Sequence, residues 1–247
     1  METIRIFPGH DKTGAPERFA PLTMRRGELY TIVGDTGSGK SRLIKDIEQL
    51  ACGDSATGRV VQLDGESLRG RRRLDCSGAL VAHLSQNMRF VLDTTVERFV
   101  TMHAQCRGRA VRPQEVTALA NLLTPEPIRA GQSLNLLSGG QARALMVADV
   151  ALVCDAPVVL VDEIENAGLD KEEALRQLQS REKLVLVATH DVHTALMAPR
   201  RLVMRGGAVI AVAERTPQEE TLRRTLGEQY RRERELQRRL RAGEALA

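Results

Sequence analysis

The chain has 247 residues, of which 42% are hydrophobic and 28% charged, so it can bury the core of one large α/β domain, with or without a small insert. With 20 glycines and 9 prolines, its composition excludes a fibrous or a disordered chain. Only 2% of the residues are aromatic and the net charge is +4, which argues against a surface that stacks single-stranded nucleic acid, so nucleic acid is not expected as a partner.

The cysteines and the apolar segments indicate the compartment in which the chain works. Four cysteines lie far apart without a C-x-x-C pair, which favours reduced thiols over a disulfide framework or a zinc knuckle: Cys52, Cys76, Cys106 and Cys154. The first residues include an acid and lack the apolar run of a secretory signal. The most apolar stretch, residues 142–161, contains Arg143, Asp149 and Asp155 and does not match a spanning helix. We therefore expect a cytoplasmic chain that reaches the inner face of a membrane only through a partner.

In the first half of the chain, strands and helices are predicted to alternate. Strands are expected at residues 3–7, 28–33, 60–63 and 80–84. Helices are expected at residues 41–50 and 94–124. A loop rich in Gly, Pro and charge is predicted after the first strand, and an arginine-rich turn at 69–73 is predicted before the fourth.

The second half continues this alternation. Strands are expected at residues 158–161, 184–188, 201–204 and 208–212, and helices from about 138 and from 171. From Pro217 onward the chain is charged and helix-prone. We interpret this tail as a solvated helix that packs Leu222, Leu226 and Leu236 on the body, with a contact to nucleic acid or anionic lipid as the alternative. Strands that alternate with helices predict a largely parallel sheet covered on both faces.

A phosphate-binding loop is predicted between the second strand and the first helix, where the sequence matches G-x-x-x-x-G-K-[ST]. Its glycines let backbone N–H groups approach a polyphosphate, and the helix N-terminus adds partial positive charge. Lys40 is the expected cation for the phosphates, and the Ser41 hydroxyl is the expected Mg²⁺ ligand. The alternative, a glycine turn with a chance lysine, is disfavoured by the flanking strand and helix. The predicted nucleotide-binding residues are Gly34, Asp35, Thr36, Gly37, Ser38, Gly39, Lys40, Ser41 and Arg42.

Two adjacent acids end a buried strand pattern at Asp162 and Glu163. Ligands gather at the carboxyl ends of strands in open α/β sheets. Asp162 is therefore predicted to hold Mg²⁺ directly or through water, and Glu163 is predicted to accept a proton from the attacking water. The alternative is a strand that ends in solvated acids, and the presence of the phosphate loop favours the metal site over it.

The motif Leu-Ser-Gly-Gly-Gln at residues 137–141 lies just before a helical pattern. It therefore predicts a second glycine-containing helix N-terminus, which is a second candidate anion site. With this motif added to the phosphate loop and the acid pair, the chain resembles an ATP-binding cassette (ABC) ATPase from about residue 3 to residue 212. The resemblance implies an α/β fold, namely an ABC-type P-loop NTPase core with a mostly parallel sheet, an antiparallel β portion and a helical insert. It divides the chain into an ATPase domain at 1–216, with the insert at about 87–136, and a charged helical tail at 217–247.

The resemblance also implies roles for other residues. In the family, the L-S-G-G-Q segment of one subunit closes over the γ-phosphate bound by the other, which assigns nucleotide contacts to Ser138, Gly139, Gly140 and Gln141. Gln86 matches the glutamine that contacts Mg²⁺ and the attacking water, with a surface glutamine as the alternative. Asp170 matches the family's D-loop at the dimer interface, and His190 matches the histidine that contacts the γ-phosphate and orients Glu163. A metal site at His190 and His193 is discounted, because no matching ligand set accompanies them.

Three departures from the family pattern concern the nucleotide. Arg42 stands where a threonine usually follows the phosphate-loop serine, and Ile164 and Glu165 replace the usual Pro-Thr after the catalytic acid. Only Phe7 or His10 is available near the first strand to stack on adenine.

The resemblance implies a homodimer that closes on two ATP and Mg²⁺ and hydrolyses ATP. Residues 90–96 follow Gln86 as in the family's transporter subunits, which favours the ATPase of a transporter with a membrane-spanning permease partner. The alternative is a soluble ABC ATPase that remodels a cytosolic client or assembles a metal or organic cofactor enzyme. A third reading, DNA repair, requires a long coiled-coil insertion that the sequence lacks.

Overall fold

A computed structural model describes residues 1–86 and 88–246, with the backbone alone at 166 and 167. Asn87, where the helical insert is predicted to begin, and Ala247, where the tail ends, lie outside the described residues. The strands of the described part are β1 Thr3–Phe7, β2 Leu22–Arg25, β3 Leu29–Val33, β4 Val60–Leu63, β5 Val81–Leu84, β6 Val158–Asp162, β7 Leu184–Ala188, β8 Arg200–Arg205 and β9 Ala208–Glu214.

These strands form two sheets. A small antiparallel sheet has the order β2-β1-β4, and a larger sheet has the order β5-β6-β7-β3-β8-β9. The larger sheet is parallel except for its last pair, β8 and β9, which is antiparallel. The predicted fold class is therefore confirmed: a mostly parallel sheet with an antiparallel portion.

The helices are α1 Lys40–Glu48, α2 Gly70–Leu80, α3 Val96–Cys106, α4 Pro113–Leu123, α5 Gly139–Leu152, α6 Lys171–Gln179, α7 Val192–Met197 and α8 Pro217–Arg241. Short 3₁₀ helices occupy Leu134–Leu136 and Ile164–Ala167. Several helices begin where the sequence supplies a capping oxygen, and the side chains of Thr95, Ser138, Asp170, Asp191 and Thr216 accept first-turn N–H groups. In the described part of the chain, no helix is long and apolar enough to span a bilayer.

Two buried clusters cover the faces of the larger sheet. Side chains alternate along a strand, so Val159 and Val161 point into one cluster with α3 to α6, and Val158 and Leu160 point into the other with α1 and the small sheet. This double burial explains why β6 is apolar at its first four positions and β7 at all five.

Some elements differ from the predictions. The arginine-rich segment at 69–73 was predicted as a turn, but its residues from Gly70 belong to α2. Helix α2 buries no side chain, so its sequence carries no apolar period by which it could be recognised. The segment predicted as a loop after β1 contains β2, which buries only Met24, and α7 has six residues, too short for a periodic pattern. The helical stretch predicted at 94–124 is two helices, α3 and α4.

The topology brings the candidate site together. Strands β5, β6, β7 and β3 are neighbours and parallel, so their carboxyl ends lie on one edge of the sheet. The chain segments that leave this edge carry Gln86, Glu163, His190 and the phosphate loop. The boundaries of the helical insert and of the tail as separate domains stay predictions.

Candidate active site

The phosphate loop leaves β3 at Gly34 and ends at Lys40, the first residue of α1. A Cβ at Gly34 would lie 2.4 Å from the carbonyl oxygen of Met204, so no other residue fits there. The Lys40 ammonium donates hydrogen bonds to the carbonyls of Gly34 at 2.6 Å and Asp35 at 3.1 Å, and therefore lies across the loop. The first N–H groups of α1 have no carbonyl partner within the helix. The Lys40 ammonium and these N–H groups are donors of the kind that bind an anion at a helix N-terminus.

The other loop residues differ in exposure. Asp35, Thr36 and Gly37 are exposed and Ser38 is buried. Ser41 and Arg42 are exposed in the first turn of α1.

The loop after β1 lies beside the phosphate loop. Lys12 donates to the carbonyl of Gly37 at 2.6 Å, which places a second ammonium next to the predicted phosphate site. Of the two rings available for adenine, Phe7 already has the Arg5 guanidinium over it, 5.0 Å from the ring centroid. The His10 ring lies against Gly58, where a Cβ would be 3.0 Å from its Nδ1. Adenine stacking by either ring stays a prediction.

The predicted catalytic residues converge on one carboxylate. Gln86 donates from Nε2 to Glu163 Oε2 at 2.5 Å, and His190 Nδ1 lies 3.6 Å from Glu163 Oε1. Glu163 has a φ of 51°, a left-handed conformation that costs free energy in a non-glycine residue. The chain thus turns sharply after β6, and this turn is where Glu163 meets the other two side chains.

Asp162, the last residue of β6, is half-buried beside Glu163. Burial and the Glu163 carboxylate raise the pKa of Asp162, while His83, Arg143 and Lys40 oppose the rise. A divalent cation would stabilise the charged form of Asp162. Mg²⁺ prefers oxygen ligands and is typically bound through one or two carboxylates plus substrate phosphates. The Asp162 carboxylate, the Ser41 hydroxyl and the Gln86 amide oxygen fit this ion.

Arg143 connects two edges of the site, and the sequence did not single it out as functional. Its guanidinium donates to the backbone carbonyls of Gln86 at 2.9 Å and Asp162 at 2.6 Å. Burial lowers the pKa of Arg143, and the nearby acids Asp162, Glu165 and Glu163 oppose this. An arginine two residues after the L-S-G-G-Q motif, in a helix that is mostly apolar, was the available signal.

Glu165, noted above as a departure from the family pattern, contacts the predicted histidine. It accepts a hydrogen bond from the Thr189 hydroxyl at 2.8 Å, and its Oε1 lies 3.5 Å from His190 Nδ1. Ile164, the other departure, is fully buried in the core. His190 therefore has two carboxylates beside one ring nitrogen, and this geometry was not foreseen.

The L-S-G-G-Q motif begins α5 with a capping box. Ser138 Oγ accepts from the N–H of Gln141 at 3.2 Å, and Gln141 Oε1 accepts from the N–H of Ser138 at 3.0 Å. Gly139 and Gly140 line a cavity of about 850 Å³ together with Gln86. The motif therefore forms the helix N-terminus that the sequence predicts.

A different cavity of about 700 Å³ joins the phosphate loop to the acids. It is lined by residues 34–36, Glu163 and His190, and no residue of the L-S-G-G-Q motif lines it. Asp170 lies elsewhere again, as the cap of α6, where it accepts from the N–H of Glu173 at 3.1 Å. The structure thus brings the phosphate loop, Glu163 and His190 to one cavity and places the L-S-G-G-Q motif and Asp170 outside it.

Comparison with known proteins gives consistent matches. The family model described as ABC transporter matches residues 20–166. An uncharacterized ABC transporter ATP-binding protein of Methanocaldococcus jannaschii is 50% identical over 230 residues, which are 92% of this chain and 88% of the relative. A macrolide export ATP-binding/permease protein of Acinetobacter baylyi is 31% identical over 230 residues, and the match spans 87% of this chain but only 33% of that protein.

Among solved structures, a dimeric ATP-binding cassette in a post-hydrolysis state, bound to ADP and phosphate, superimposes with a TM-score of 0.63. It is 22% identical, and the match covers 85% of this chain and 98% of that one. At this identity the likeness concerns the fold. The matched family model and the 50% identical relative carry the assignment: this chain belongs to the ABC transporter family, as an ATP-binding protein.

Proposed function

We propose that the chain works as a homodimer that closes over two ATP, each bound between the phosphate loop of one subunit and the L-S-G-G-Q motif of the other. The observation that carries the proposal is the separation of these segments within one chain. Residues 34–36 line one cavity, and Gly139 and Gly140 line another. One subunit thus lacks donors on one side of the terminal phosphate, and a second copy supplies them. The dimeric state of the cassette of similar fold supports this arrangement.

Within each site the residues divide the work. Lys40 and the first N–H groups of α1 bind the phosphates. Ser41, Asp162 and Gln86 hold Mg²⁺, which when bound neutralises charge on the phosphates. Glu163 accepts the proton of the attacking water, and His190 orients both the water and Glu163. The Gln86 contact at 2.5 Å fixes the Glu163 carboxylate for this task.

The partner in the membrane is a permease subunit, which places the chain at the inner face of a membrane. The relative of 50% identity is named as a transporter protein, and the macrolide exporter is named as an ATP-binding protein and permease in one chain. As in the family's transporters, the permease docks between the Gln86 loop and the helical insert, where Phe90 packs edge-on against Phe99 of α3 with 5.0 Å between the ring centroids. Co-purification with a multi-span protein would support this assignment. Recovery with a cytosolic enzyme alone would select the alternative of a soluble assembly ATPase.

Replacing the catalytic acid tests the proposal. In Glu163→Gln the amide cannot accept the proton, so we expect phosphate release to fall by at least about a hundredfold, with ATP binding retained and a stable dimer formed with ATP. Phosphate release and size-exclusion chromatography with and without ATP measure both effects. Glu97→Gln, an exposed position in α3, is the control and is expected to behave like the parent. Rapid phosphate release by Glu163→Gln would refute the assignment of the base.

A further inference from the structure

The C-terminal helix α8 crosses the two helices that follow the predicted D-loop and His190. At the crossing, a Cβ on Gly227 would lie 3.1 Å from Glu172 Oε1 and 3.5 Å from His193 Nε2, so side chains of α6 and α7 pack against α8 there. The start of α8 is fixed by the Arg201–Glu219 ion pair at 2.6 Å. The helix is therefore held on the body along its first half.

The face of α8 that meets the body has helical spacing. Gly227, Tyr230 and Arg234 fall at positions i, i+3 and i+7, which form one stripe of a helix. Other arginines of α8 pair with glutamates of the same helix at its surface, as Arg238 does with Glu235 at 2.6 Å. The stripe therefore differs from the predicted packing of Leu222, Leu226 and Leu236 on the body, since Leu222 is 46% exposed.

Tyr230 and Arg234 hold Asp170 from two sides. The Tyr230 hydroxyl accepts from the N–H of Lys171 at 3.2 Å and donates to the carbonyl of Leu169 at 3.4 Å, which are the backbone groups flanking Asp170. The Arg234 guanidinium forms an ion pair with the Asp170 carboxylate. Helix α8 therefore fixes both the backbone and the side chain of the predicted D-loop residue.

Lys171 contacts both Tyr230 of α8 and Asp191, the residue that follows His190. Its side chain is buried, its ammonium lies 4.9 Å from the centroid of the Tyr230 ring, and it pairs with Asp191 Oδ2 at 2.5 Å. Asp191 directly follows His190 and caps α7 by accepting from the N–H of Thr194 at 2.8 Å. A continuous series of contacts thus joins α8 to the residue next to His190.

We propose that α8 is a positioning element for ATP hydrolysis, in which Tyr230 and Arg234 fix Asp170 and, through Lys171 and Asp191, the segment that carries His190. The inference rests on the proposed function, because it assumes that Asp170 meets the second subunit and that His190 orients the water. Without the contacts from α8, Asp170 keeps its cap of α6 and the hydrogen bond from its N–H to the Leu123 carbonyl, but its carboxylate loses the Arg234 guanidinium. The position of Asp170 is then less restricted, and so is the position of His190.

The test separates the effect on turnover from the effect on nucleotide binding. We expect Arg234→Met to lower kcat about fivefold or more and Tyr230→Phe about threefold. KM for ATP should change less than about twofold, because neither side chain lines the cavity of the phosphate loop. Arg234→Lys keeps the charge and is expected to recover most of the kcat. Arg232→Met, at an exposed position of the same helix, is the control and is expected to match the parent.

Thermal unfolding of each variant shows whether it is folded. Should Arg234→Met fail to fold, Tyr230→Phe decides the question, since it removes a single oxygen atom. Unchanged kcat in folded Arg234→Met and Tyr230→Phe would overturn the inference, and so would a rise in KM at unchanged kcat. A parent chain that neither binds nor hydrolyses ATP would overturn the proposed function instead, so the two failures are distinguishable.

Discussion

A single buried side chain, Arg143, holds together the ends of two strands that carry catalytic candidates. Its two hydrogen bonds reach the carbonyls of Gln86 and Asp162. Hydrogen bonds from a charged donor contribute more than neutral ones, and removal of this donor leaves the carbonyls without their partner. The distance between the Gln86 loop and the end of β6 therefore depends on this residue.

Replacement of that guanidinium is expected to affect both stability and turnover. Arg143→Met should reduce the free energy of unfolding by about 3 kcal/mol and lower kcat more than it raises KM. Urea denaturation and steady-state kinetics measure the two effects. The comparison variant is Arg112→Met, which loses only an exposed pair with Glu115 and should change stability by less than about 0.5 kcal/mol. Equal effects of the two changes would contradict the role given to Arg143.

Whether a residue of the site can be predicted depends on how far along the chain it lies from the residues that it contacts. The phosphate loop, Asp162, Glu163 and the L-S-G-G-Q motif are local patterns, each set by a strand end or a helix start, so the sequence predicts them. Lys12, Arg143 and Tyr230 reach the site across 25, 57 and 59 residues respectively, and no local spacing marks such contacts. They become visible only when the fold brings the segments together.

At the scale of elements, strands and helices that bury many side chains are predicted from the sequence, and those that bury few are not. Strands β6 and β7 are apolar at four or five consecutive positions, and the sequence predicts them almost to the residue. Helix α2 and strand β2 bury one side chain between them, Met24, so the hydrophobic pattern that marks the other elements is absent there. Burial is what makes an element predictable, and elements that bury little are missed.

The ion pair between Lys171 of α6 and Asp191, the cap of α7, depends on the charge of the Asp191 carboxylate. Burial raises the pKa of Asp191, but hydrogen bonds from Lys171 and Thr194 outweigh it and hold the pKa at about 2. Because this pKa is below the ordinary value of 3.8, the native state is stabilised above about pH 4, and the contribution is lost as the pH falls towards 2.

Asp191→Asn keeps the helix cap and removes the charge. We expect it to reduce the free energy of unfolding at pH 7 by about 1–2 kcal/mol and to flatten the loss of stability between about pH 4 and pH 2. Urea unfolding at several pH values measures this. Asp54, whose pKa is also held at about 2, pairs with Arg73 at the surface, so Asp54→Asn serves as the exposed counterpart with a smaller effect. A parallel pH dependence of the parent and Asp191→Asn would contradict the assignment.

On the scale of the whole molecule, the separation of the two cavities makes a complementation experiment possible. A chain with Lys40→Ala has a defective phosphate loop, and a chain with Ser138→Arg has a defective signature motif. If the sites are shared, a mixed dimer has one intact site, formed by the phosphate loop of the Ser138→Arg chain and the motif of the Lys40→Ala chain.

Mixing the two inactive variants in equal amounts should therefore restore about a quarter of the parental ATPase activity, because half of the dimers are mixed and each has one working site. Phosphate release before and after mixing is the measurement, and each variant alone gives the baseline. No recovery, although mixed dimers are detected by differential tagging, would contradict a shared site.

The close crossing at Gly227 has a mechanical consequence. Beyond this point α8 continues to Arg241, a straight segment of about 20 Å. Because Tyr230 and Arg234 lie on this segment and contact Leu169, Asp170 and Lys171, a movement of those residues would carry the far end of α8 with it. A spectroscopic label near Arg241 would report those movements at a distance from the nucleotide.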